Sequence, residues 1–397
     1  MNTQPLYDLT PLASLLLVGL VLALGPVIWV YRRSPHQAST QRIQALRMLT
    51  LFLTFDLILF GAFTRLTDSG LGCPDWPGCY GSTSPWGANH AIATAQAALP
   101  TGPVTQAKAW IEMLHRYLAT AVGGLILMLT LFGWKAWRDS RRAMSSCRST
   151  DAAVLFSSAL WATFTLAWVC LQGAFGALTV TMKLFPAIVT LHLAGALVLF
   201  ALLGVQVVRD LGWAGRLPLS QGLARWLWVA AVLLVFQVLL GGWVSTNYAV
   251  LACSDFPQCQ NHWWPDMNLT QGFELWRHLG VTGTGEPISF AALTGIHYMH
   301  RLMAYLVLGV LVALAWQLNR QAPWRSHSRV LAALVGLQFA TGLSNVVFDW
   351  PLLAALLHTG GAAALVVTLV GVIASKKSAV AVHHVETMPA SLKGTLS

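Results

Sequence analysis

Residues 111–119 read IEMLHRYLA, and residues 296–304 read IHYMHRLMA. The two stretches agree at Ile, His, Arg and Ala, and they differ where Glu112 in one corresponds to His297 in the other. Apolar residues fill most of the remaining positions, so each phrase reads as helix carrying ionisable groups inside an apolar run. A phrase written twice, with one chemically loaded change, predicts a duplicated helical unit whose copies have diverged in task.

The duplication extends in both directions. GAFTRLTDSGLGCPDWPGC at 61–79 aligns without a gap to GGWVSTNYAVLACSDFPQC at 241–259, so that Cys73, Asp75, Pro77 and Cys79 recur 180 residues later as Cys253, Asp255, Pro257 and Cys259. The His-Arg phrase recurs at a displacement of 185, and Gln172, Gly176 and His192 recur 166 residues on as Gln338, Gly342 and His358. Landmarks in one order, at displacements that loops of unequal length absorb, predict two four-helix halves. Both halves start on the same side, which makes the repeat parallel about an axis near the membrane normal.

Composition supplies the solvent. Of 397 residues, 56% are hydrophobic and 10% charged, with 18 Trp, a balance that belongs to a polytopic membrane protein. Apolar runs near the spanning length of about 20 residues fall at 13–31, 48–64, 112–134, 154–180, 187–208, 226–246, 292–317, 329–348 and 353–375. The expected architecture is all-α: two pseudo-symmetric parallel four-helix bundles, residues 48–210 and 225–375, plus an extra transmembrane helix with its basic loop in 1–47. A tail, 376–397, is expected to be disordered.

The net charge of +10 is a topology signal. Lys and Arg gather in 32–47, 135–148, 209–225, 320–329 and the tail, alternating with loops that hold few of them. The positive-inside rule then puts the N-terminus on the periplasmic side and the C-terminus in the cytoplasm. A basic face for nucleic acid is excluded; the partner that the charge addresses is membrane lipid. Only Asp8 is charged ahead of the first run, the reverse of a cleavable signal peptide, so that helix is expected to be retained. No Arg-rich, acid-poor leader precedes it, which favours a bacterial inner membrane.

Five of the 12 histidines lie in or at the edge of apolar runs: His115, His192, His297, His300 and His358. A lone His in such a run is commonly a hydrogen-bonded structural residue, yet ionisable groups at membrane depth are costly and usually have a purpose. Each half places two at similar depth on different helices. Two imidazoles from separate helices of a bundle suit haem iron with two axial ligands. A hydrolytic zinc site wants a third protein ligand, and no HExxH is present. CxxCH is also absent, so any haem is held noncovalently. Arg116 and Arg301, each directly after a histidine, suit either interfacial anchoring or contacts to haem propionates.

Two of the cysteine pairings the six residues allow, Cys73–Cys79 and Cys253–Cys259, close loops on the side read as oxidising, which favours a disulfide in each half. Capping of the bundle mouths and a redox role both remain open for them. Cys147 and Cys170 read as unpaired thiols. Glu112 lies three residues before His115 and shares its helix face. It reads either as a helix-start carboxylate or as a group that exchanges protons and stabilises developing positive charge.

TRLTDSGLGCPDWPGC, the EMLHR phrase, GGWVSTNYAVLACSDFPQCQ followed by WWP, HYMHR and the late Leu357–His358 together resemble the haem A synthase family, across roughly residues 48–375 in the right order. The first helix is extra to that family's eight-helix core. The resemblance implies oxidation of a porphyrin-rim methyl of haem O to a formyl group through a hydroxymethyl intermediate, with haem b as cofactor. It implies His300 and His358 as axial ligands of haem b, His115 and His192 at the substrate haem, and Glu112 as the catalytic carboxylate. The haem O-producing farnesyltransferase and cytochrome oxidase assembly factors follow as expected partners. Two other readings share the paired histidines: a two-haem cytochrome b, and a carrier that transports haem. Neither accounts for Glu112.

Overall fold

The computed structural model describes residues 10–142 and 149–376, the side chains of 149–151 excepted. Eleven α-helices follow in order: α1 (Thr10–Arg33), α2 (Ser39–Leu66), α3 (Asn89–Ala98), α4 (Gln106–Arg142), α5 (Ser149–Thr181), α6 (Pro186–Asp210), α7 (Gln221–Thr246), α8 (Leu269–Gly272), α9 (Phe290–Asn319), α10 (Arg325–Val347) and α11 (Leu352–Ser375). Among the described residues nine of these are long and apolar enough to cross a membrane, all but α3 and α8. The protein is therefore an all-α polytopic membrane protein. Cys147 and the tail from 377 lie outside the described residues.

Helices α2, α4, α5 and α6 close one ring of neighbours, and α7, α9, α10 and α11 close the other. The rings meet where α6 packs on α11, with α6 against α7 and α2 against α11 as matching flanks. Exchanging the halves maps each flank onto the other, as a two-fold relation demands. Ile58, Leu197, Phe200 and Ala363 form the apolar seam there. At the end of the seam the axis can be located in side chains. Arg65 donates to the carbonyl of Ser245, its equivalent 180 residues on, and Tyr248 Oη donates to Asp68, its own equivalent, at 2.7 Å. Arg65 also lies over the Tyr248 ring at 4.0 Å.

Helix α1 stands outside both rings and packs along α4 and the start of α2. Small residues permit the approach: a Cβ added at Gly124 would lie 3.2 Å from Ala23 Cβ. Its outward face, including Leu17 and Val21, is exposed as a lipid-facing surface would be. At the opposite, basic face, Arg47 is 2% exposed and pairs with Asp210, tying α2 to α6. This charge, grouped by sequence with a basic loop, is an internal tie.

The two disulfides are present, Cys73–Cys79 and Cys253–Cys259. Both loops are built alike. The carboxylate of Asp75 accepts the N–H groups of Tyr80 and Gly81 at 2.6 and 2.7 Å, and that of Asp255 accepts those of Gln260 and Asn261 at 2.7 and 2.9 Å. Burial works against the Asp255 carboxylate, but the N–H groups of Asn261 and Gln260 hold its pKa below the ordinary value. The long loop of the second half crosses the seam, laying Trp276 against Phe185 of the α5–α6 turn, with ring centroids 4.7 Å apart. Cys170 is a free, exposed thiol.

Candidate functional site

The sequence places His115 on α4, His192 on α6, His300 on α9 and His358 on α11, so each ring of helices contributes its pair from two different members. All four side chains are half-buried, as expected of groups lining an interior space.

Each imidazole lies against a glycine of the neighbouring helix. A Cβ added at Gly61 or Gly241 would stand 3.0 Å from the Cε1 of His115 or His300, and one at Gly176 or Gly342 would stand 3.2 Å from that of His192 or His358. Any larger residue would push the ring out of place. These four glycines are repeat equivalents in two pairs, and the role of Gly176 and Gly342 in the duplication is thereby explained. A second layer of glycines holds the glutamines: Gly195 and Gly361 leave room only for the amides of Gln172 and Gln338. Those amides donate to the backbone carbonyls of His192 at 2.6 Å and His358 at 2.9 Å.

The Nδ1 atoms are treated unequally. Gln172 reaches His192 Nδ1 at 3.0 Å and Thr341 reaches His358 Nδ1 at 3.0 Å, whereas the Gln237 amide lies against the His300 ring, 3.1 Å from Nδ1 and 3.3 Å from Nε2. His115 Nδ1 is buried with no hydrogen-bond partner among the described residues. Its ring is stacked instead on Phe60, with centroids 6.3 Å apart at 12°. None of these partners was singled out for that role by sequence reasoning. The available signal was a Gln inside an apolar run, at 237, where the first half has Leu57.

Glu112 is 3% exposed. Its Oε2 accepts the backbone N–H of Cys73 at 2.7 Å, and its Oε1 pairs with Arg116. Arg116 continues into the disulfide loop, donating to the carbonyls of Asp75 at 3.0 Å and Gly78 at 2.6 Å. In the second half Arg301 Nε donates to His297 Nε2 at 3.2 Å, and the guanidinium bonds the carbonyls of Asp255 at 2.8 Å and Cys253 at 2.6 Å. Both arginines are thus buried and bond the carbonyls of the cystine loops. The outcome is a chain of bonds that links the buried carboxylate to the Cys73–Cys79 loop. The second half repeats that chain with a neutral imidazole in the carboxylate's place.

In each half, two imidazoles on separate helices, each seated against a glycine, fit a planar metal macrocycle held by axial ligands. Among the described residues no three His, Cys, Asp or Glu side chains converge as a metal cage. Fold and site together define a class: a duplicated helical membrane protein with one paired-imidazole site in each half.

Comparison with known proteins narrows the class. The family model of the cytochrome oxidase assembly proteins matches residues 44–370. A protein of Shewanella oneidensis named Heme A synthase is 36% identical over 326 residues, 81% of this chain and 93% of that protein. A protein of the same name from Alkalihalophilus pseudofirmus is 26% identical over 80% of this chain and 92% of its own length. A third, from Rhizobium etli, is 27% identical over 82% and 88%. The chain belongs to the haem A synthase family.

Proposed function

We propose that this protein makes haem A, oxidising the porphyrin-rim methyl of haem O to a hydroxymethyl and then to a formyl group, and so acts as an oxidoreductase. The observation that carries the reading is a difference in charge between two repeated sites: a buried carboxylate, Glu112, one turn from His115, where the other half holds His297. Family membership and the names of the relatives point the same way.

His300 and His358 would hold haem b, and His115 and His192 would face haem O. Haem b supplies one-electron redox chemistry when bound. The work of the protein's own residues can be stated separately. The glycines at 61 and 176 let the imidazoles of His115 and His192 approach the neighbouring helices closely. Glu112, held by the Cys73 N–H and Arg116, places negative charge on the helix face shared with His115. When two electrons pass from the methyl to an external electron acceptor and one proton leaves it, positive character is left beside the macrocycle, and a fixed carboxylate would stabilise it and accept that proton. His297, neutral and tied to Arg301, provides no such charge, which suits a haem that is kept unchanged.

The family reading and the charge pattern support a bacterial inner-membrane location, with the cystine loops and the N-terminus on the periplasmic side and the C-terminus in the cytoplasm. The apolar substrate makes the haem O-producing farnesyltransferase the expected supplier, with cytochrome oxidase assembly factors downstream. The test is expression in a host that makes haem O but no haem A, followed by extraction and chromatography of the pigments. Haem A or its hydroxymethyl precursor is the expected result. Haem O and haem b left unchanged would overturn the enzyme and leave a two-haem cytochrome or a carrier.

A further inference from the structure

We infer that α1 is a positioning element for the first site: it braces the joint between Arg116 and the Cys73–Cys79 loop, and through that joint it holds Glu112. The inference rests on the reading of Glu112 as the carboxylate of conversion. Helix α1, Thr10–Arg33, lies wholly outside the residues that the family model matches, 44–370.

The helix touches both partners of the joint. At its N-terminal end, a Cβ added at Gly78 would stand 3.4 Å from Pro11 Cβ, and the Gly78 carbonyl is the acceptor that Arg116 meets at 2.6 Å. Further along, a Cβ added at Gly19 would stand 2.7 Å from the main-chain carbonyl carbon of Thr120, so only glycine allows so close an approach. The Thr120 hydroxyl donates to the Arg116 carbonyl at 3.0 Å. Contact continues through Ala23 beside Gly124 to Tyr31 beside Phe132, whose ring centroids are 6.1 Å apart. One rigid rod therefore spans the loop, the arginine and the length of α4 that carries Glu112.

The second half has the same helix face without such a rod. Thr120 and Gly124 correspond to Tyr305 and Gly309, 185 residues on. Nothing among the described residues stands within 4 Å of a Cβ added at Gly309, and Tyr305 and Leu306 are exposed. Tyr305 reaches the cystine loop of its own half instead, its ring centroid 6.5 Å from that of Phe256. A bulky aromatic does there what small residues and an added helix do in the first half. The added brace falls where precision counts: a displacement of about 1 Å can cost about 100-fold in rate, whereas a haem that is only retained makes no such demand on His297.

The test uses the purified full chain from the haem O-making host. Gly19→Leu is expected to push α1 off α4. Conversion per bound haem O should fall by up to about 100-fold, and amide exchange across 73–82 should accelerate. Haem b content and amide exchange across 253–262 should stay as in the parent. Gly309→Leu, at the open repeat position, should change none of these. Unchanged conversion in Gly19→Leu, or a 73–82 loop exchanging as in the parent, would overturn the inference. So would both cystine loops loosening together with loss of haem b, which marks general destabilisation. Should Gly19→Leu fail to accumulate, Gly19→Ala adds only the clashing Cβ and is read by the same measurements, with a smaller fall expected. The parent separates the two levels. No haem A from the parent overturns the proposed function itself, whereas equal conversion by parent and Gly19→Leu overturns only the role of α1.

Discussion

The two halves repeat one set of landmark residues and differ in chemistry at several positions near the histidines. Both have two imidazoles, two glycines that clear them, a glutamine clasping a histidine carbonyl, an arginine clamping a cystine loop and an aspartate knitting that loop together. Against this common frame, the first half has Glu112, Leu57 and Phe175 where the second has His297, Gln237 and Thr341. On the proposed function, the comparison teaches that the shared frame holds a macrocycle, whereas a few differing side chains decide what becomes of it. A carboxylate suits conversion; neutral partners suit retention.

The strongest way to break the comparison is to erase the difference in charge. Glu112→Gln keeps the shape and the Cys73 N–H acceptor but removes the carboxylate. Conversion in the haem O-making host is expected to fall to background, while the haem b absorbance of the purified protein stays within error of the parent. A next, smaller effect comes from the glycines. Gly241→Val should reduce haem b occupancy about tenfold or more by displacing His300. Gly61→Val should leave haem b in place and lower conversion instead, as read by the same pigment extraction.

Below these stand the clamps. Arg116→Lys and Arg301→Lys each remove the planar fork that bonds several loop carbonyls, at a cost of about 3 kcal/mol in thermal or denaturant unfolding. Arg116→Lys should also impair conversion, because Arg116 holds Glu112. The smallest effect is in the cystine loop. The Asp255 carboxyl titrates below its unfolded value of about 3.9, so its contribution is fully present above about pH 4 and is lost as pH falls through the lower folded value. Amide exchange at Gln260 and Asn261 should accelerate over that acid range, and Asp255→Asn should remove the pH dependence at a cost under about 1 kcal/mol.

Much of this was legible in the chain itself. Hydropathy located all nine spanning helices, because in a membrane every span must be apolar and self-bonded. The displacements of Cys, His and Gly landmarks matched the two rings of helices, and the four histidines fell on two different helices of each ring. Where the reading fell short, the cause is physical. α4 starts at Gln106, well before the apolar run at 112, because the helix continues into the polar loop region where hydropathy carries no signal. The Ala-rich α3 lies in a loop that looked unpatterned, being too short and mild to announce itself. The bonds of Arg116 and Arg301 to the cystine-loop carbonyls were not legible, because a guanidinium serves carbonyl and carboxylate oxygens alike and the chain does not show which it meets. The Nδ1 partners escaped notice because Gln, Thr and Phe substitutions between repeats acquire meaning only once the facing helix is known.

The division between the halves is tested most directly by haem content. The double variants His115→Ala with His192→Ala, and His300→Ala with His358→Ala, should be purified in parallel from the haem O-making host and their pigments extracted and chromatographed. The account predicts that the first retains haem b and makes no haem A, and that the second loses haem b. Haem b surviving in the second variant, or vanishing from the first alone, would contradict it.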